Sequence, residues 1–193
     1  MNYTSHNYTI HGPFEICKKK NGLVDRSQRA QKEFWDQVQK EVKLADASLP
    51  SACGCYLFAI RAGKGLKPWY VGIAQKQAFR DECFAIQKIN AYNDAIADRR
   101  GKPLLFLIAK RTPKGKMAKP GRNGHRDASF LEDVLIATAR KRNPKLMNVK
   151  KTKFLKEMCV PCIMNTPRGH PTQSEKEFER ALYKRYDGDI NHV

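Results

Sequence analysis

The sequence predicts an α+β domain with a small three-stranded, largely antiparallel sheet flanked by helices. Residues 54–60 and 104–109 are short apolar runs without alternation, the pattern of strands covered on both faces. Residues 69–74 follow the first run across Gly63-Lys64-Gly65, which pairs these two strands as a hairpin with a loop longer than a two-residue turn. Around the strands, apolar residues recur at helical spacing.

Taken in order, residues 1–25 hold short apolar segments and turn signals. Ser27 then caps a helix through Phe34, Val38, Val42 and Leu44, which Leu49-Pro50-Ser51 ends. After the hairpin, Phe79, Phe84, Ile86, Ile89, Tyr92 and Ile96 predict one long helix from residue 78 to about residue 99, with Gly101 and Pro103 beyond its end. The third strand, 104–109, leads into residues 110–126, which carry seven Lys or Arg, several Gly and Pro, and no acid, and read as a flexible cationic loop. Asp127 or Ser129 can cap the next helix, whose apolar run 130–139 stops before Asn143-Pro144. A second basic stretch holds Arg140, Lys141, Arg142, Lys145, Lys150, Lys151 and Lys153, and an amphipathic helix over 174–186 presents Phe178, Leu182 and Tyr186. The organisation expected is an N-terminal extension with a helix (1–50), a core (51–155) and a C-terminal extension with a helix (156–193).

With 193 residues, of which 41% are hydrophobic, the chain can build one ordinary core. Lys and Arg number 37 against 19 Asp and Glu, a net charge of +18 that points to a polyanionic partner. The first eleven residues are polar and the longest clean apolar run spans only 104–109, so neither a secretory signal nor a bilayer span is expected. The chain reads as cytoplasmic, without a membrane partner. Six cysteines then read as free thiols. Cys53-x-Cys55 and Cys159-x-x-Cys162 supply zinc-type ligand pairs, although buried small apolar side chains explain them more simply.

One carboxylate stands out. Glu132 has Leu135 and Ile136 at i+3 and i+4, and a carboxylate beside an apolar face needs a cation, donor or metal to stay charged. It also fits a rim position, or a capping box Ser129-x-x-Glu132.

Gly54-Cys55-Tyr56 and Tyr70-Val71-Gly72 put two tyrosines and two glycines on adjacent strands. With Arg80 ten residues on, Glu132 in a later helix and Asn148 beyond Pro144, this ordered series over about residues 53–150 resembles the GIY-YIG nuclease family. Cys55 and Val71 stand where that family usually has Ile.

The resemblance implies a three-stranded core and a divalent-metal-dependent endonuclease that hydrolyses DNA phosphodiester bonds. The compact chain suits a restriction-type enzyme. A structure-specific repair or recombination nuclease, and an inactive nucleic-acid-binding module on the same scaffold, are the alternatives. Glu132 would hold Mg²⁺ or Mn²⁺ with several waters, and Tyr56 and Tyr70 would activate and position the nucleophile, provided that a phenol with an ordinary pKa of about 10 is depressed or relays its proton. Arg80 would grip a phosphate oxygen and Asn148 would support the site. Tyr92 and His125 are auxiliary candidates. Lys110, Arg111, Lys114, Lys116, Lys119, Arg122, Arg126, Arg140, Lys141 and Arg142 would contact DNA phosphates, and a homodimer would suit cleavage of both strands.

Overall fold

The computed structural model describes residues 7–43, 46–97, 99–148, 152, 157, 159–161 and 169–183. The chain divides into two compact units, Met1–Asn148 and Val149–Val193. The first runs β1 (Tyr8–Glu15), α1 (Gln28–Glu41), a 3₁₀ turn (Leu49–Ser51), β2 (Gly54–Ala62), β3 (Gly65–Ala74), α2 (Phe79–Glu82), α3 (Ile86–Ile96), β4 (Lys102–Lys110) and α4 (Arg126–Arg142). The second contains α5 (Gln173–Leu182).

The sheet has four strands, not three, in the order β1-β4-β2-β3, with every neighbouring pair antiparallel. This corrects the three-stranded expectation. The added strand comes from residues 8–15, whose His11-Gly12-Pro13 interrupts any strand-like alternation. Tyr8 pairs with Lys110 and Glu15 with Leu104, and the register slips between His11 and Phe14, where the proline sits.

Alternation along the strands assigns the two faces. Tyr56, Phe58, Leu105 and Leu107 join Phe14 on the face covered by α1 and α3, where Phe34, Trp35, Val38, Ile89 and Tyr92 complete the core. Phe58 stacks on Tyr92 at 4.2 Å, and Phe34 meets Phe84 edge-on at 5.0 Å. On the opposite face, Cys55 Sγ donates to the Ala128 carbonyl at 3.3 Å, which seats α4 through its buried Ala128, Ile136 and Ala139.

Several local expectations change. The predicted 78–99 helix is two helices, because Ala85 adopts an extended conformation (ψ 146°) between them. The break lets Phe84 pack against Phe34 and Trp35. Ala62 pairs with Gly65, so the hairpin closes through a two-residue turn with Gly63 at φ 55°. The register shift places Phe58 opposite Tyr70 and Ala59 opposite Pro68, leaving Trp69 as the bulged residue.

The outer edge of β3 is closed by the segment after α4. Asn143 Nδ2 donates to the Pro68 carbonyl, Met147 N–H to the Trp69 carbonyl, and the Asn148 amide both accepts from Val71 N–H (2.9 Å) and donates to Val71 O (2.8 Å). An edge that would otherwise offer unpaired backbone groups is thereby satisfied.

Ser27 caps α1 as expected, its hydroxyl accepting from Ala30 N–H at 3.2 Å. Helix α4 starts at Arg126, so Asp127 and Ser129 lie inside it and neither is its cap. Helix α5 is held by a capping box of Thr172 and Glu175. Leu44, Lys150, Lys151, Lys153, Cys162 and Tyr186 lie outside the described residues.

Candidate functional site

The two tyrosines of the hairpin occupy different environments. Tyr56 is completely buried, and its hydroxyl has no hydrogen-bond partner among the described residues. Burial, reinforced by the neighbouring Tyr92 phenol, pushes its pKa well above the ordinary value. Tyr92 is equally sealed, and burial raises its pKa too; Tyr56 tempers that shift without forming a hydrogen bond of ordinary geometry.

Neither phenol is set up as a base, because deprotonation would place an anion in the core. The close approach of Gly72 follows from the same packing: a Cβ there would overlap the Tyr56 phenol. At Gly54 (φ 153°) a Cβ would collide with the Ile108 carbonyl. Both glycines serve strand and ring packing.

Tyr70 lies half-buried at the margin of this cluster, with ring centroids 6.3 Å from Tyr56 and 5.9 Å from Tyr92. Its hydroxyl accepts from Lys88 Nζ at 3.1 Å, and Lys88 also pairs with Glu82 at 3.3 Å. Burial opposes the charge on Lys88, but the Tyr70 phenol and Glu82 carboxylate more than offset it and raise its pKa. The sequence reading missed this Tyr70–Lys88–Glu82 chain. Residues 82 and 88 lie on either side of the break between α2 and α3, where no single-helix spacing relates them.

Arg80 is exposed and lines a shallow cleft with Gln31, Trp35 and Asp36 of α1. Glu132 is half-buried on the sheet-facing stripe of α4, between Ala128 and Ile136. Phe79 of α2 belongs to the core around Tyr56, whereas α4 lies against Cys55. The helices that carry Arg80 and Glu132 are therefore on opposite faces of the sheet. Asn148 is buried and spans the β3 edge at Val71. Ser129 donates its hydroxyl to Gln75 Oε1, so the capping-box reading of Glu132 does not apply.

The cationic segment is ordered, in contrast to the flexible loop expected. Arg111 bridges to Met117, Thr112 N–H donates to the Lys116 carbonyl, and Ala118 N–H donates to the Lys110 carbonyl. Gln75, also missed, pins its C-terminal half: its side chain accepts from His125 N–H at 2.9 Å, and its carbonyl accepts from Gly121 N–H. The His125 ring contacts the Lys119 carbonyl through Nε2 at 3.0 Å.

Two of the cations face inward. Lys110 pairs with Asp127, which also accepts from the Tyr8 hydroxyl at 2.8 Å. Arg111 pairs with Asp46 at 2.6 Å and donates to Thr9 and the Gly115 carbonyl. Lys114, Lys116, Lys119, Arg122 and Arg126 are exposed, and none forms an ion pair with a described carboxylate. Along α4, Lys141 and Arg142 are exposed and Arg140 is half-buried.

No family model matches the chain, and neither a curated protein nor a solved structure matches it. The resemblance to the GIY-YIG nucleases is not upheld. The open four-stranded sheet departs from the three-stranded architecture it implies. Among the described residues, no group of three or more His, Cys, Asp or Glu side chains is placed to hold a metal ion. The zinc reading of Cys53 and Cys55 also finds no ligand cluster among the described residues, where Cys53, Cys55 and Cys83 are buried. The expected metal-dependent endonuclease, in its restriction and repair forms and as an inactive module on that scaffold, is therefore withdrawn. With it go the nuclease and metal-binding descriptions that followed from the tyrosine, arginine and glutamate series.

Proposed function

We propose that the protein binds nucleic acid, with duplex DNA as its partner, through the surface formed by the 110–126 loop and the exposed flank of α4. The observation that carries this reading is the run Lys114, Lys116, Lys119, Arg122 and Arg126, five exposed cations on an ordered scaffold with no acid within residues 110–126. Ordering matters because side chains on a fixed backbone lose less freedom when they meet phosphates. Arg140, Lys141 and Arg142 extend the positive surface along α4. Such contacts neutralise backbone charge and release counterions, so they support affinity with strong salt dependence and little sequence preference. Lys110 and Arg111 support the loop from inside through their ion pairs and are not phosphate contacts in this reading.

The buried free thiols of Cys53 and Cys83 fit a reducing compartment such as the cytoplasm. Among the described residues, no helix is long and apolar enough to cross a membrane. The test is duplex binding measured across a salt series in the parent and in a variant lacking Lys114, Lys116 and Lys119. A salt dependence unchanged by the substitutions would refute the proposal.

A further inference from the structure

At the turn end of the β2–β3 hairpin, a cleft of about 670 Å³ opens beside the C-terminal ends of α3 and α4. That volume falls within the range of small-molecule sites, roughly 300–1,000 Å³. Ile60, Ala62, Leu66 and Trp69 form an apolar floor. Lys67, Arg99, Arg100 and Arg142 supply four cationic side chains, and among the described residues no carboxylate lines the cleft.

The fold prepares one of these cations in detail. The bulge at Trp69 turns its indole into the core on the α3 side, where it is 4% exposed. The Arg99 guanidinium lies over that ring, 4.0 Å from the centroid, and its Nη1 donates to the Ala95 carbonyl at 2.7 Å and the Asp94 carbonyl at 3.3 Å. Lys67 Nζ stands 5.4 Å from the same ring. Arg99 is thus held flat by a ring behind it and by the last carbonyls of α3 at its edge, while the residue as a whole remains exposed. A planar cation fixed in this way presents a face on which an aromatic ring can stack. Arg100 and Arg142, both exposed, have no ion pair with a described carboxylate.

We propose that this cleft binds a nucleotide 5′-phosphate, with the base laid on the Arg99 plane and the apolar floor and the phosphate held by Arg100 and Arg142. Four positive charges suit a dianion. The apolar floor and the stacked guanidinium select a flat ring joined to it. A free nucleoside monophosphate and the phosphorylated end of a nucleic-acid strand share this chemistry. The site lies apart from the 110–126 loop, shares only Arg142 with the α4 flank of the proposed duplex surface, and does not depend on the binding assigned to the loop.

Calorimetric titration of the full chain with AMP, adenosine and inorganic phosphate tests the proposal. AMP should bind at least about tenfold more tightly than either fragment, and Arg100→Glu or Leu66→Asp, both at exposed positions, should each weaken AMP by about tenfold or more. Single-stranded oligonucleotides with and without a 5′-phosphate identify the source. A 5′-phosphate preference that Arg100→Glu abolishes assigns the strand end, and its absence alongside tight AMP binding assigns the free nucleotide. The proposal is overturned if inorganic phosphate binds as well as AMP, if both variants retain parental AMP affinity, or if AMP shows no binding up to about 10 mM. Replacing Lys114, Lys116 and Lys119 by alanine should leave AMP binding unchanged, and a parallel loss there would place the nucleotide on the loop and overturn the cleft assignment. Failure of the loop's own salt test leaves the AMP result standing, so the two readings fail separately.

Discussion

Replacing Lys114, Lys116 and Lys119 together by alanine removes three of the five exposed cations between residues 114 and 126. Each phosphate contact contributes about −0.9 to the slope of log affinity against log salt for duplex DNA. Five contacts give a slope of about −4.5, so affinity falls roughly 500-fold between about 50 and 200 mM salt. Two contacts give about −1.8, a fall of roughly 12-fold. Any contribution from Arg140, Lys141 and Arg142 is common to both proteins, so the discriminating quantity is the difference in slope, about 2.7. Fluorescence anisotropy with a labelled duplex across that salt range reads it directly.

The three side chains are exposed, so the variant should unfold at the same denaturant concentration as the parent. Lys110→Ala supplies the contrast. Its pair with Asp127 is largely enclosed, with side chains 12% and 20% exposed, so the change should lower stability by about 2–4 kcal/mol while leaving the salt slope unaltered. A triple variant whose slope stays within about one unit of the parent would refute the assignment of the loop.

The buried tyrosine gives an independent check on the core. Tyr56→Phe removes a sealed hydroxyl that has no partner among the described residues, and urea unfolding should show a gain of about 1 kcal/mol; a loss of that size would mean that the hydroxyl is satisfied. Asn148→Ala strips two hydrogen bonds from Val71 at the β3 edge and should cost about 2–4 kcal/mol in the same assay, against which an unchanged midpoint would count. His11 should make stability pH-dependent. Burial first, then Arg111, lowers its pKa in the folded chain, and Asp46 opposes them in part. The unfolded ring takes up its proton near 6.5 and the folded ring only at lower pH, so stability should fall as the pH drops below 6.5 until the folded ring also titrates. His11→Asn should reduce that fall, and a parallel pH curve for the variant would show that other groups cause it.

Much of the architecture was legible locally. The apolar runs at 54–60 and 104–109 are strands, Ser27 caps its helix, and the charge balance of +18 reads directly from composition. These features depend on residues near one another in the chain. Others needed contacts across long separations. Strand β1 was hidden because its His11-Gly12-Pro13 breaks alternation, and its pairing with β4 is specified only when residues about a hundred positions apart meet. The interruption after Cys83 was equally hidden, since the apolar spacing continues through it while Phe84 packs between Phe34 and Trp35.

The candidate site shows the same division with larger consequences. Sequence order alone suggested that Tyr56, Tyr70, Arg80 and Glu132 act together. The three-dimensional arrangement seals Tyr56 in the core, joins Tyr70 to Lys88, and puts the helices bearing Arg80 and Glu132 on opposite faces of the sheet. Residue type and spacing do not encode solvent access, and solvent access decides whether a phenol can lose a proton. The amino-acid sequence by itself determined strands β2 to β4, helices α1 and α4, and the excess of positive charge. Only the tertiary structure decided which of those charges are neutralised inside, as at Lys110 and Arg111, and which face outward, because an ion pair is formed by distance in space rather than by position along the chain.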